Sequence, residues 1–214
     1  MKQKSFISIY DNALSPEECK FLIDYFESDD ETLSKKQRGM TLGGEVVKDW
    51  KDSYDRYMDW YIDDVYQQHP VHDIVANRIN ECCEKYKKEN PELEEMPKWV
   101  VRDGFNMQKY EPGGGYHILH CENYNVGRHS NNILAWMFYL NTVKEGGGTR
   151  FENFDLNVNA VQGRCVIWPA YWTHMHKGIA SKTFQKYIIT GWFCIHDVKS
   201  MYFNKENELV EDKS

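Results

Sequence analysis

Two clusters of metal-binding side chains stand out in this chain: His120-Cys121-Glu122 and, 54 residues after His120, His174-Met175-His176. In extended backbone, side chains alternate between the two faces, so His120 and Glu122 point the same way and can reach one ion. A histidine from the second cluster would complete a set of two imidazoles and one carboxylate. That set leaves three coordination positions open, the arrangement used by non-haem Fe(II) centres that bind a cosubstrate and O2. Ten residues after His176, Lys186 opens the run Lys186-Tyr-Ile-Ile-Thr190-Gly-Trp192, which reads as a buried strand with one cation at its start. Lysine is almost never fully buried unless paired. A dicarboxylate that chelates the metal at one end would supply the missing anion at the other.

With these residues in place, the chain resembles the 2-oxoglutarate- and Fe(II)-dependent oxygenases of the prolyl 4-hydroxylase-like family, over roughly residues 99–195. The resemblance implies metal ligands His120, Glu122 and His176, which are also the catalytic residues, and Lys186 as the partner of the distal 2-oxoglutarate carboxylate. It also implies cosubstrate hydrogen bonds from Tyr110, in Tyr-Glu-Pro-Gly-Gly-Gly-Tyr, and from Tyr139, in Trp-Met-Phe-Tyr-Leu-Asn. The turn Gly146-Gly-Gly-Thr149-Arg-Phe151 is similar to a further element of the family. The family usually has Asp at the carboxylate position, and Glu122 moves the oxygens outward by roughly one bond length. The ten-residue spacing to Lys186 selects His176 over His174, which is left to line the site, make a hydrogen bond behind it, or serve structure alone.

The implied fold is a double-stranded β-helix, a jelly roll that holds a ligand between its sheets. The implied cofactors are Fe(II), 2-oxoglutarate and O2, with ascorbate as an optional reductant. The implied reaction is hydroxylation with release of succinate and CO2, most simply of prolyl residues in a protein or peptide. A hydroxylase of a free amino acid or other small molecule, and an inactive metal-binding cupin-like domain, stay open as alternatives. Nucleic acid is disfavoured as a partner, because nucleic-acid demethylases of the superfamily generally use Arg where this chain has Lys186.

The elements that position these residues divide at about residue 98. Before it, Phe6–Tyr10 alternates as a strand. Ser15, Pro16 and Glu18 then form a capping box at the start of a helix carrying Phe21, Leu22, Tyr25 and Phe26. The stretch 28–48 is polar and glycine-punctuated, a loop that could act as a lid. Tyr54, Tyr57, Tyr61 and Val65 suggest a helix over 51–67, and Val71, Ile74, Val75, Ile79, Cys82, Cys83 and Tyr86 one over 71–89. After residue 98, runs rich in β-branched and aromatic residues read as strands at 99–110, 116–122, 132–141, 164–169, 173–177 and 186–195. The expected class is therefore α+β, mainly β, one oxygenase domain over 1–214. A helical part (1–98) would brace a jelly-roll core (99–196). The tail after Phe203 is charged and reads as frayed.

Composition sets the outer limits. The 214 residues contain 26 Lys and Arg against 33 Asp and Glu, a net charge of -7, which disfavours nonspecific nucleic-acid binding. No apolar run approaches the ~18 residues of a membrane span, and Met1–Tyr10 lacks the apolar stretch of a signal peptide. The six cysteines show no C-x-x-C pair, which points to reduced thiols and a cytoplasmic setting. Tyr124, Tyr171 and Trp172 are candidate linings for an extended proline-rich segment, whose populated polyproline II form loses little entropy on docking.

Overall fold

The computed structural model describes residues 4–41, 44–62, 65–124, 130–195, 201–203 and 209–211. In chain order the strands and main helices are β1 (Ser8–Tyr10), α1 (Pro16–Glu27), β2 (Gln37–Arg38), β3 (Tyr54–Asp59), β4 (Tyr61–Ile62), β5 (Val65–Tyr66), α2 (Pro70–Glu89), β6 (Trp99–Tyr110) and β7 (Asn132–Tyr139). They continue with β8 (Thr149–Phe151), β9 (Leu156–Val158), β10 (Cys165–Pro169), β11 (His176–Gly178), β12 (Lys186–Ile195), β13 (Met201–Phe203) and β14 (Leu209–Glu211).

A seven-stranded antiparallel sheet in the order β1-β10-β7-β12-β6-β3-β2 faces a three-stranded sheet, β11-β8-β9. This is the expected double-stranded β-helix. Alternation along each central strand divides the side chains between two cores. On the outer face Phe105 and Met107 of β6, Leu134, Trp136 and Phe138 of β7, and Tyr187, Ile189 and Phe193 of β12 pack with α1 and α2. On the inner face Tyr110, Ala135, Met137, Tyr139, Val166, Trp168 and Ile188 meet Phe151 and Val158 of the small sheet. The helices thus brace the large sheet from behind while the small sheet closes over its front.

Helix α1 begins as its sequence dictates. The Ser15 hydroxyl accepts from the Glu18 amide at 3.2 Å, and the Glu18 carboxylate accepts from the Ser15 amide at 2.8 Å. Helix α2 matches the expected 71–89 helix closely. The expected helix over 51–67 is absent: its residues form β3 and the β4–β5 pair instead, with Ile62 and Val65 as partners. The aromatic spacing misleads because Tyr54 and Tyr61 are exposed, whereas the buried side chains of β3 include polar ones: Asp55 and Arg56 beside Met58. The Arg56 guanidinium donates to the carbonyls of Ser28, Asp30 and Ser34, filling the end of α1. Tertiary pairing of β3 with β6 overrides local pattern here.

Two expected strand spans and the tail also change. Residues 116–122 do not form a continuous strand; single bridges from Tyr116 to Lys51 and from His120 to His176 hold them. Residues 172–174 form a 3-10 turn, and the strand begins at His176. Of the tail read as frayed, Leu209–Glu211 pairs with Met201–Phe203, and the rest lies outside the described residues. All six cysteines are buried and free. No helix among the described residues is long and apolar enough to cross a membrane.

Gly191 lies opposite Trp136 in the β12–β7 ladder, and a Cβ there would meet the Trp136 ring at 2.1 Å. Trp136 is fully buried between sheet and helices, so it has no room to move aside. Gly191→Ala is expected to destabilise the fold by about 1–3 kcal/mol through overpacking. Urea unfolding should show a lower midpoint at unchanged slope; an unchanged midpoint would mean that the Trp136 packing tolerates displacement.

Candidate active site

His120 and His176 face each other through a pair of backbone hydrogen bonds, His120 N to His176 O at 2.9 Å and His176 N to His120 O at 2.8 Å. This bridge joins the 116–122 segment to β11 and fixes the two imidazoles side by side. Each ring is also oriented from behind. The Nδ1–H of His120 donates to the Ile118 carbonyl at 3.0 Å and that of His176 to the His174 carbonyl at 2.9 Å, which leaves both Nε2 atoms facing inward. Tyr116 stacks on His120 with ring centres 3.9 Å apart, and Phe151 and Trp168 wedge the His176 ring.

Glu122 completes the triad. Its amide donates to the Ala170 carbonyl at 2.9 Å, and its Oε1 lies 3.5 Å from His120 Nε2 and 3.2 Å from His176 Nε2. One ligand atom from each of the three residues lies within 4.8 Å of the other two. Adjacent ligands of a six-coordinate ion with bonds of ~2.1 Å sit ~3 Å apart, so the set fits Fe(II) with three positions open. Burial pushes the Glu122 carboxyl up, but hydrogen bonds and charge from the two imidazoles outweigh it and hold the group well below the usual carboxylate range. Burial and the nearby His120 push His176 down. Both shifts favour the ligating forms, carboxylate and neutral imidazole.

His174 is not in this cluster. Its side chain bonds the Ser5 carbonyl at 2.7 Å and the Thr173 hydroxyl at 2.9 Å, tying the N-terminal segment to the turn before β11. Only its backbone carbonyl serves the site, by holding His176.

The triad opens onto a cavity of about 520 Å³. Lys186 lines it, 5% exposed, and among the described residues no carboxylate pairs with it. Its Nζ lies 4.5 Å from the centre of the Tyr110 ring, and burial pushes its pKa down to about 8. Tyr110 also lines the cavity and donates to Gln108 Oε1 at 2.7 Å. Tyr139 does not line it. Its hydroxyl bonds Thr149 Oγ1 at 2.8 Å, and Thr149 is the residue that reaches the cavity. Gln37, Met40 and Thr41 border the same space, so part of the 28–48 loop edges the site; residues 42 and 43 lie outside the described residues. Of the three candidate substrate-lining aromatics only Tyr124 borders the cavity, and Trp172 is 72% exposed elsewhere.

Two features escaped the sequence reading. Trp192 donates its indole N–H to Glu122 Oε2 at 2.8 Å; its position was legible, since 186, 188, 190 and 192 alternate onto one face. A buried ion pair, Lys51 to Asp55 at 2.5 Å, forms part of the cavity wall, with Ser53 and Asn106 donating to Asp55 at 2.7 and 2.9 Å.

The family model of the 2OG-Fe(II) oxygenase superfamily matches residues 105–194, which contain the triad and Lys186. No curated protein matches the chain by sequence. Among solved structures, the chain is similar to a prolyl-4-hydroxylase of Pseudomonas putida (15% identity, 89% of this chain and 94% of that one, TM-score 0.67). It is also similar to the viral collagen prolyl hydroxylase of Paramecium Bursaria Chlorella virus-1 in its 2OG complex (17%, 88% and 95%, TM-score 0.60). A third is a Trichoplax adhaerens prolyl hydroxylase in complex with a hypoxia inducible factor oxygen degradation domain peptide fragment (13%, 90% and 84%, TM-score 0.64). The likenesses to solved structures show the shared fold, and the stretch that matches the oxygenase family carries the candidate triad.

Removing either imidazole, in His120→Ala or His176→Ala, is expected to abolish stoichiometric Fe(II) binding in anaerobic titration. His174→Ala should keep it while lowering thermal stability, and iron retained without His176 would reassign the ligand. A cosubstrate carboxylate held by Lys186 would need its cation, which is lost as pH rises through about 8. 2-Oxoglutarate affinity should therefore be level below that pH and fall by up to about tenfold per unit above it. Lys186→Arg should flatten the profile. Lys186→Met should weaken 2-oxoglutarate by two orders of magnitude or more, since breaking a buried charge pair costs ~3–5 kcal/mol. Equal affinity in wild type and Lys186→Met would remove Lys186 from the cosubstrate site.

Proposed function

We propose that the protein hydroxylates prolyl residues of a protein or peptide, with His120, Glu122 and His176 holding Fe(II) and Lys186 holding the distal carboxylate of 2-oxoglutarate. The observation that carries the cosubstrate assignment is a buried ammonium without an anion among the described residues, in the same cavity as a convergent two-imidazole, one-carboxylate set. When bound, the iron, O2 and 2-oxoglutarate supply the oxidising power for C–H hydroxylation, and the cosubstrate leaves as succinate and CO2.

The residues of the chain supply position and exclusion. Lys186 and the hydroxyl of Tyr110 fix the cosubstrate end farthest from the metal, and Tyr139 acts one step back by orienting Thr149. Ile188, two residues along β12 from Lys186 and lining the same cavity, keeps that region apolar, so water competes poorly for the ammonium. The peptide reading is supported by the cavity mouth, where pocket-lining Met40 and Tyr124 are 42% and 40% exposed. Apolar side chains left in water at a site entrance suit a macromolecular partner. A neighbouring fold with a bound peptide fragment supports it as well.

The charged Lys51–Asp55 wall favours a second reading, hydroxylation of a free amino acid, whose ammonium and carboxylate would meet complementary groups there. Incubation of the iron-loaded enzyme with 2-oxoglutarate, ascorbate and either proline-containing peptides or free L-proline separates the two. The expected result is a gain of one oxygen on peptide prolines by mass spectrometry, matched one to one by succinate. Oxidation of free proline alone would replace the peptide reading with the second one.

A further inference from the structure

We propose that Trp192 is a positioning residue that makes Glu122 a one-oxygen ligand and so keeps a coordination position open for the reaction. This inference rests on the assignment of Glu122 as a metal ligand.

The physical problem is the length of the glutamate arm. Glutamate has one more rotatable bond than aspartate and loses more side-chain entropy on being fixed. Left free, its carboxylate can rotate to offer both oxygens to the ion. Two-oxygen ligation would take up one of the three positions that a cosubstrate and O2 require. Here the two oxygens are already divided. Oε1 faces the imidazole Nε2 atoms at 3.5 and 3.2 Å, while Oε2 accepts the Trp192 indole N–H at 2.8 Å. Indole nitrogen is a donor only, so it cannot compete for the metal. It can only hold the oxygen it bonds.

The fold builds a place for this ring. The ladder between β12 and β6 shifts register between Gly191 and Phe193, so Trp192 sits at an irregularity of the kind that re-aims a side chain. On its other side Trp192 pairs with Ala135, whose methyl leaves space over the sheet for a bicyclic ring. Trp192 and Ala135 both line the cavity with the triad. The shorter arm of an aspartate on the same backbone would draw the carboxylate back by about one bond length, away from the indole. Glu122 and Trp192 therefore act as a matched pair, in which the longer ligand is usable because a donor stands behind it.

The test is a double-substitution cycle read by Co(II) binding in the absence of O2, using absorbance to report affinity and coordination number. Trp192→Phe is expected to weaken Co(II) on the order of tenfold, as loss of a group behind a ligand does, and to alter the Co(II) spectrum. In the Glu122→Asp background the same substitution should change affinity by less than about twofold. Placing 3-benzothienylalanine at position 192 keeps the bicyclic ring and removes only the N–H; it should reproduce the Trp192→Phe loss without changing the thermal stability of the metal-free protein. Equal losses in the wild-type and Glu122→Asp backgrounds, or full affinity with the benzothienyl ring, would overturn the pairing while leaving Glu122 a ligand. Wild-type Co(II) affinity in Glu122→Ala would overturn the ligand assignment and the pairing with it.

Discussion

The interior of this molecule is organised around charges that are out of water yet do not neutralise one another. Glu122 and Lys186 line one cavity without forming an ion pair. Each would be costly alone, because an uncompensated buried charge is among the least favourable features a fold can hold. Glu122 is compensated inside the chain by two imidazoles and an indole. Lys186 has the face of the Tyr110 ring, a partial substitute for an anion. The protein thus holds a poorly compensated cation at one end and a candidate ligand set at the other, and a chelating dicarboxylate with a divalent ion would relieve both at once. In the proposed function, binding and relief of that electrostatic cost are one event.

A single strand sets the distance between the two ends. Lys186, Ile188, Thr190 and Trp192 alternate along the inner face of β12, and with a rise of about 3.3 Å per residue the six steps from Lys186 to Trp192 span about 20 Å of backbone. Lys186 stands at one end, in the proposed place of the cosubstrate carboxylate, and Trp192 at the other holds the carboxylate of Glu122. The strand is central in the large sheet, paired on both sides, and its outer residues Tyr187, Ile189 and Phe193 are packed under the helices. That burial keeps the spacing fixed, which a site on loops alone could not do. The opposite wall is made by short pieces, the His120–His176 bridge and the three-stranded sheet, which need only be pinned to it.

What the sequence made legible follows from this division. Strands β6, β7 and β12 announce themselves because their outer faces are apolar and their lengths are regular, and the candidate triad is legible because metal chemistry restricts residue type and spacing. The capping box at Ser15 was readable for the same reason, since its donors and acceptors are local. The 51–67 region failed because its burial is polar: Lys51, Asp55 and Arg56 are all 5% exposed or less, and a reading by apolar period counts them as surface. Tyr139 was placed one step too close, because a sequence position on the inner face does not reveal that Thr149 stands between it and the cavity.

The misread segment also carries a buried ion pair of the cavity wall. Burying Lys51 against Asp55 contributes little net stability compared with an apolar pair of similar volume, and a fold under pressure only to be stable would have little use for it. The pair is kept at the start of β3, braced by Ser53 and Asn106, and it faces the cavity rather than the helices. Places where sequence logic fails are commonly places where a protein gives up local consistency for a site. By that argument the added edge β3–β2 does more than widen the sheet. It carries a polar wall to the same cavity that Lys186 and the triad line.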